Sequence, residues 1–69
     1  MSIVLNLDVM LASRKVRNNE LAREVGVTAQ NISLMKSGKV RGVRFDTLEK
    51  ICETLDCQPG DLLKYQQDN

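Results

Sequence analysis

The stretch Glu20-Leu21-Ala22-Arg23-Glu24-Val25-Gly26-Val27-Thr28-Ala29-Gln30-Asn31-Ile32-Ser33-Leu34-Met35-Lys36-Ser37-Gly38 decides the fold. It reads as two short helices meeting at a tight turn. Val25 ends the first helix, and Gly26 is the residue best able to take positive φ at a helix C-terminus. Thr28 is a good N-cap for the next helix, because its hydroxyl can accept from a free backbone N–H two or three residues on. Ala22, Val25, Val27, Ile32 and Met35 form one inward set. Ala22 is small, as it must be where two helix backbones approach closely. The second helix, about Thr28 to Ser37, turns Ala29, Gln30, Ser33, Leu34 and Ser37 outward. That outward set is small, mostly polar and free of acids, and could lie against something negative.

Upstream, Ser2-Ile3-Val4-Leu5-Asn6-Leu7 begins apolar and β-branched and reads as a short strand or extended arm. Asn6 or Asp8 can cap a first helix that carries Leu7, Met10 and Leu11 at helical spacing. Arg14 and Lys15 close it, where the helix dipole favours cations, and Val16 plugs the core. Arg17 stands where a Ser or Thr would complete a capping box with Glu20, so Asn18 is the expected local cap of a helix from about Asn19 to Val25.

Downstream, Ser37-Gly38 signals a helix end, and Lys39-Val40-Arg41-Gly42-Val43-Arg44 reads as a basic loop. Asp46 or Thr47 is expected to open a fourth helix, with Phe45 stapling its start. Leu48, Ile51, Cys52 and Leu55 form its buried stripe, while Glu49, Lys50 and Glu53 face solvent. Pro59 suits the first turn of a final short helix, in which Leu62 and Leu63 bury. Lys64-Tyr65-Gln66 could pair with Ile3-Val4-Leu5 as an antiparallel ribbon.

The length, 69 residues, leaves room for one domain only. A chain this short buries only about 60% of its extended surface on folding, which leaves little for a deep catalytic pocket. Hydrophobic residues at 42% suit a packed helical domain, and aromatics at 3% make its core aliphatic. No apolar run approaches the ~20 residues of a membrane span. No basic-then-apolar leader is present, so the expected compartment is the cytoplasm. There is no histidine, no Cys-His or Ser-His pairing and no phosphate-loop glycine pattern. Neither an enzyme nor a cofactor or small-molecule ligand is therefore expected. Cys52 and Cys57 cannot complete a four-ligand zinc site without help. The two read as packing residues, Cys52 on the apolar helix face and Cys57 in a semi-buried turn, rather than as a redox pair.

The net charge of +1 is strongly polarised. Residues 14–44 hold eight basic and two acidic residues, whereas residues 45–69 hold six acidic and two basic ones. One basic face and one acidic face follow, and a polyanion would be steered to the former.

The Glu20–Gly38 pattern resembles the helix-turn-helix of lambda-repressor-like (Cro-type, Xre family) DNA-binding proteins. Ala22, Gly26, Val27, Ile32 and Met35 match the family's structural positions. The likeness continues through Gly38-Lys39, Phe45-Asp46-Thr47-Leu48-Glu49-Lys50-Ile51-Cys52 and Leu55-Asp56-Cys57-Gln58-Pro59-Gly60-Asp61-Leu62-Leu63, covering roughly residues 6 to 65. The resemblance implies an all-α, five-helix domain, with room for a two-stranded terminal ribbon. It also implies a double-stranded DNA partner and dimers on near-palindromic operators, with half-sites about one helical turn apart.

In that setting the helix starting near Thr28 would enter the major groove. Gln30 could pair with adenine through both ends of its amide, which is worth about 1–3 kcal/mol of discrimination. Ser33 could bond a base or a phosphate, Asn31 could contact backbone or base, and Thr28, Ala29 and Leu34 could touch thymine methyls. By resemblance, Asn18 would meet a phosphate beside the N–H groups of its helix start. Lys36, Lys39 and Arg41 would neutralise phosphates, which positions the protein without reading sequence. The chain leaves no obvious segment for an effector, so repression by occlusion is the expected role. Self-association is expected through the last helix and the terminal segments, where Ile3, Leu5, Leu63 and Tyr65 are apolar. The alternative is a protein-interaction module, such as an antitoxin or a regulator's partner that retains the fold.

Overall fold

The structure is a computed structural model that describes residues 2–38 and 42–67. The order is β1 (Ser2–Leu5), α1 (Leu7–Arg14), α2 (Asn18–Val25), α3 (Ala29–Ser37), α4 (Phe45–Leu55), α5 (Pro59–Leu62) and β2 (Leu63–Gln66). It is the five-helix arrangement expected, and the terminal ribbon is present. β1 and β2 pair antiparallel, with Ile3 opposite Tyr65, Val4 opposite Lys64 and Leu5 opposite Leu63.

The core is aliphatic. Leu7, Leu21, Ile32, Ile51, Leu55 and Leu62 are fully buried, one or two from each helix. Each such side chain contributes roughly 1.5–3 kcal/mol by leaving water. Ala22, Val25 and Met35 are buried beside them, and Val16, Val27, Cys52 and Cys57 pack against the edge. No polar or charged side chain is buried among the described residues. Nothing inside therefore competes with close packing of the helices.

The turns are where the sequence meets the backbone. Gly26 ends α2 at φ +87°, and its N–H donates to the Ala22 carbonyl at 2.8 Å. Gly38 ends α3 at φ +75°. Between α2 and α3, only Gly26, Val27 and Thr28 remain to reverse direction. Thr28 caps α3 as expected: its Oγ1 accepts from the Asn31 N–H at 3.1 Å.

Two local expectations are corrected. Arg17, not Asn18, is the N-cap of α2, and Asn18 is the first helical residue. Arginine has no acceptor to offer; instead the Glu20 carboxylate reaches back to accept from the Arg17 N–H at 3.3 Å. That half of the box suffices to start the helix one residue early.

The start of α4 also lies earlier than expected. Arg44 is its N-cap and Phe45 its first residue. The Arg44 carbonyl accepts from the Leu48 N–H at 2.9 Å. Asp46 accepts from the Thr47 N–H at 2.9 Å and pairs with Arg44 at 3.3 Å, so it works inside the first turn rather than ahead of it. Phe45 is 84% exposed and staples nothing.

Arg14 lies in the last turn of α1, as expected, and its exposed side chain also reaches across to α4. Its guanidinium donates to the Leu55 carbonyl at 2.8 Å and to the Asp56 carbonyl at 3.3 Å. It thus satisfies free carbonyls at the C-terminus of α4, which have no helical partner of their own, and ties α1 to α4.

The α2–α3 turn needs a residue that tolerates φ +87°. Nothing lies within 4 Å of where a Cβ would sit on Gly26, so its replacement meets no steric neighbour, only the backbone strain itself. Gly26→Ala is expected to lower the unfolding free energy by about 1–2 kcal/mol, measured by urea denaturation. An unchanged midpoint would show that the turn does not depend on the left-handed conformation.

Candidate nucleic-acid interface

The outer surface of α3 and the start of α2 are joined by side-chain contacts into one surface. α3 turns Ile32 and Met35 into the core, which leaves Gln30, Ser33, Leu34 and Ser37 exposed on the other side. Ala29 and Asn31 are half-buried at its first turn. Ser37 spends its hydroxyl locally, donating to the Leu34 carbonyl at 2.8 Å. Gln30, by contrast, is exposed near the N-terminal end of α3, and no hydrogen bond among the described residues engages its amide.

Asn18 joins the two helices. Its amide nitrogen donates to the Ser33 hydroxyl at 3.2 Å, and its amide oxygen accepts from the Lys36 ammonium at 3.2 Å. The three side chains therefore form a chain Lys36–Asn18–Ser33 running from α3 to the first turn of α2 and back. The bond to Lys36 is to a neutral amide, so it holds the ammonium in place without cancelling its charge. Asn18 being the first residue of α2, its backbone N–H is among those without a helical acceptor. A positive ammonium and the positive end of a helix dipole thus lie together on one surface.

The sequence-predicted residues distribute as follows. Asn18, Ser33 and Lys36 are brought into direct contact. Thr28 and Asn31 share the cap hydrogen bond that opens α3. Gln30 and Leu34 are exposed on the same helix, and Ala29 is half-buried against the core edge. Lys39 and Arg41 lie outside the described residues. In sequence Asn18 reads as a cap and, by resemblance, as a phosphate contact; nothing there marks its cross-helix contact with Ser33 and Lys36. Its fifteen-residue separation from Ser33 carries no periodic signal, because the contact depends on the angle set by the Gly26 turn.

The sequence profile of the Cro/C1-type HTH DNA-binding domain matches residues 6–68. The chain belongs to that family. Consistent with it, the chain is 52% identical over 68 residues to an uncharacterized HTH-type transcriptional regulator, YozG, of Bacillus subtilis (strain 168). That match covers 99% of this chain and 81% of the relative. Among solved structures, a Bacteroides fragilis protein proposed to bind DNA superposes with a TM-score of 0.83 at 28% identity, over 91% of this chain and 100% of that one. The transcriptional regulator VanUg superposes with a TM-score of 0.74 at 27% identity, over 96% and 87%. In this Cro/C1-type domain, α2 and α3 are two helices joined by the three residues Gly26–Thr28. None of its described helices is long and apolar enough to cross a membrane.

Because the Thr28 hydroxyl opens α3, it sets where the exposed face of that helix begins. Thr28→Ala is expected to cost about 1 kcal/mol of stability, and Thr28→Ser should retain most of it, both read from thermal or chemical denaturation. Equal stability of the Ala and Ser variants would show that the cap bond contributes nothing.

Proposed function

We propose that the protein is a sequence-specific double-stranded DNA-binding transcriptional repressor of the cytoplasm, residues 1–69 acting as one domain, with α3 in the major groove. The observation that carries this reading is the Lys36–Asn18–Ser33 chain, which fixes a cation, a helix N-terminus and a polar helix face on one surface. Docked along the major groove, α3 would bring Gln30 to base edges, with Thr28, Ala29 and Leu34 beside thymine methyls. Ser33 and Asn31 would meet base or backbone, while Asn18 and Lys36 would meet phosphates, joined by Lys39 and Arg41. Bound this way, the protein would block other proteins from the same DNA.

A near-palindromic site calls for two copies. We assign the contact to the ribbon and narrow the surface expected from the sequence. Leu5 is 9% exposed and belongs to the core, and Leu63 is half-buried against it. Leu62 of α5 is fully buried. Ile3 and Tyr65 remain: they face each other across the ribbon, 64% and 62% exposed. A second copy of this chain covering them would remove an apolar pair from water. Ile3→Asp is expected to give a monomer in analytical ultracentrifugation and to weaken binding to a two-half-site duplex far more than to a single half-site. A dimer that survives this change would place the contact elsewhere.

Two substitutions separate reading from holding. Gln30→Ala should lose about 1–3 kcal/mol of discrimination at one base position while keeping non-specific affinity. Lys36→Gln should weaken all sequences alike and reduce the slope of log K against log salt by about 1. Wild-type affinity should fall steeply between ~50 and ~200 mM salt. Identical profiles for the two variants would contradict this division. Absence of duplex binding at ~50 mM salt would favour a protein-interaction module instead.

A further inference from the structure

The α4–α5 corner, remote in sequence from the proposed interface, brings the chain's two cysteines together. Asp56 ends α4 in the left-handed conformation, at φ 51°. This folds the next residue back, so that the Cys57 N–H donates to the Cys52 carbonyl at 3.0 Å. Bond lengths then leave the two Cα atoms no more than about 7 Å apart, against the roughly 4.4–6.8 Å that a disulfide spans. This type of helix end regularly packs the side chains of the two residues against each other; here both are thiols. Burial pushes the Cys57 thiol up from its ordinary value, and so does the neighbouring Cys52 thiol, with a further push from Asp61 against a smaller pull from Arg14. Both cysteines are free and half-buried, and both line an open groove shared with Phe45, Leu48, Pro59 and Leu63. A small oxidant can reach them there.

We propose that Cys52 and Cys57 are a dithiol modification site, which a peroxide closes to an intramolecular disulfide across the C-terminus of α4. Cys52 as its thiolate attacks a peroxide oxygen; the O–O bond breaks, an S–O bond forms, and one water leaves when the oxidant is hydrogen peroxide. Cys57 acts as the resolving thiol. Its sulfur attacks the sulfenic acid, the S–S bond forms, the S–O bond breaks, and a second water leaves. Two thiols and one hydrogen peroxide give one disulfide and two waters, the two electrons passing from sulfur to oxygen. The product pins the corner from which α5 and β2 leave.

The test uses the full reduced chain at low micromolar concentration, treated with hydrogen peroxide and then digested with trypsin. Lys50 and Lys64 bound one peptide, residues 51–64, that carries both cysteines. The expected result is loss of both free thiols together and a peptide lighter by two hydrogens. The chain should remain uncrosslinked on a non-reducing gel and recover fully with dithiothreitol. In Cys57→Ser the same treatment should stop at a Cys52 sulfenic acid that dimedone traps. Three results would overturn the proposal: disulfide-linked dimers as the main product, oxygen adducts on the cysteines of the unsubstituted 51–64 peptide, or two intact thiols under conditions that oxidise free glutathione. Circular dichroism of Cys57→Ser distinguishes a chemical effect from loss of the fold.

Discussion

The structure depends on one short reversal. Between Val25 and Ala29 the chain has three residues in which to change direction, and Gly26 opens the reversal by adopting φ +87°. Any residue with a Cβ is strained there. From that turn follow the packing of α3 on α2, the burial of Ala22, Val25, Ile32 and Met35 in one seam, and the outward direction of Gln30 and Ser33. The link from Asn18 to Ser33 and Lys36 also exists only because the two helices meet at this angle. A single backbone torsion thus sits upstream of both the core and the candidate interface.

The interface itself is chemically modest. In the proposed interface, α3 offers one exposed amide, Gln30, and one half-buried cation, Lys36. In the proposed mode, tight binding would draw on phosphate contacts around the edges, from helix starts and the loop after α3, more than on base edges. The asymmetry of charge along the chain agrees with this, the basic excess lying between residues 14 and 44. The acidic half forms α4 and the segments after it. There the apolar groove, the exposed Phe45 and the two free cysteines lie. The basic excess along the chain and the stretch that carries the thiols and the apolar groove thus fall in different segments.

Much of this was legible in the residues. Helix positions, the aliphatic core, the glycine turns, the Thr28 cap and the ribbon all follow from short-range patterns, because period and cap chemistry act over a few residues. The misplaced or missed features were those in which a side chain acts at a distance or substitutes for the usual residue type. Arg17 could not be read as a cap because its side chain offers no acceptor; Glu20 supplied the bond instead. Arg14 reaches 41 residues along the chain to the end of α4, so nothing local marks it as structural. Asn18 looked like a cap and proved to be a cross-helix tie. Leu63 packs against the core as its place beside Leu62 suggests, but only the ribbon register shows that Leu5, opposite it, is turned inward too. The nearness of Cys52 and Cys57 followed only from the left-handed Asp56 between them.

The central claim is that the start of α2 and the outer face of α3 act as one DNA-facing surface. Mapping backbone amide shifts by NMR while titrating a mixed-sequence duplex at ~50 mM salt tests it most directly, since phosphate contacts are strong under that condition. The account predicts that the largest changes fall on residues 17–19 and 28–36, with α5 and the cysteine corner nearly unmoved. Changes centred on α4, α5 or the ribbon, with α3 silent, would contradict it.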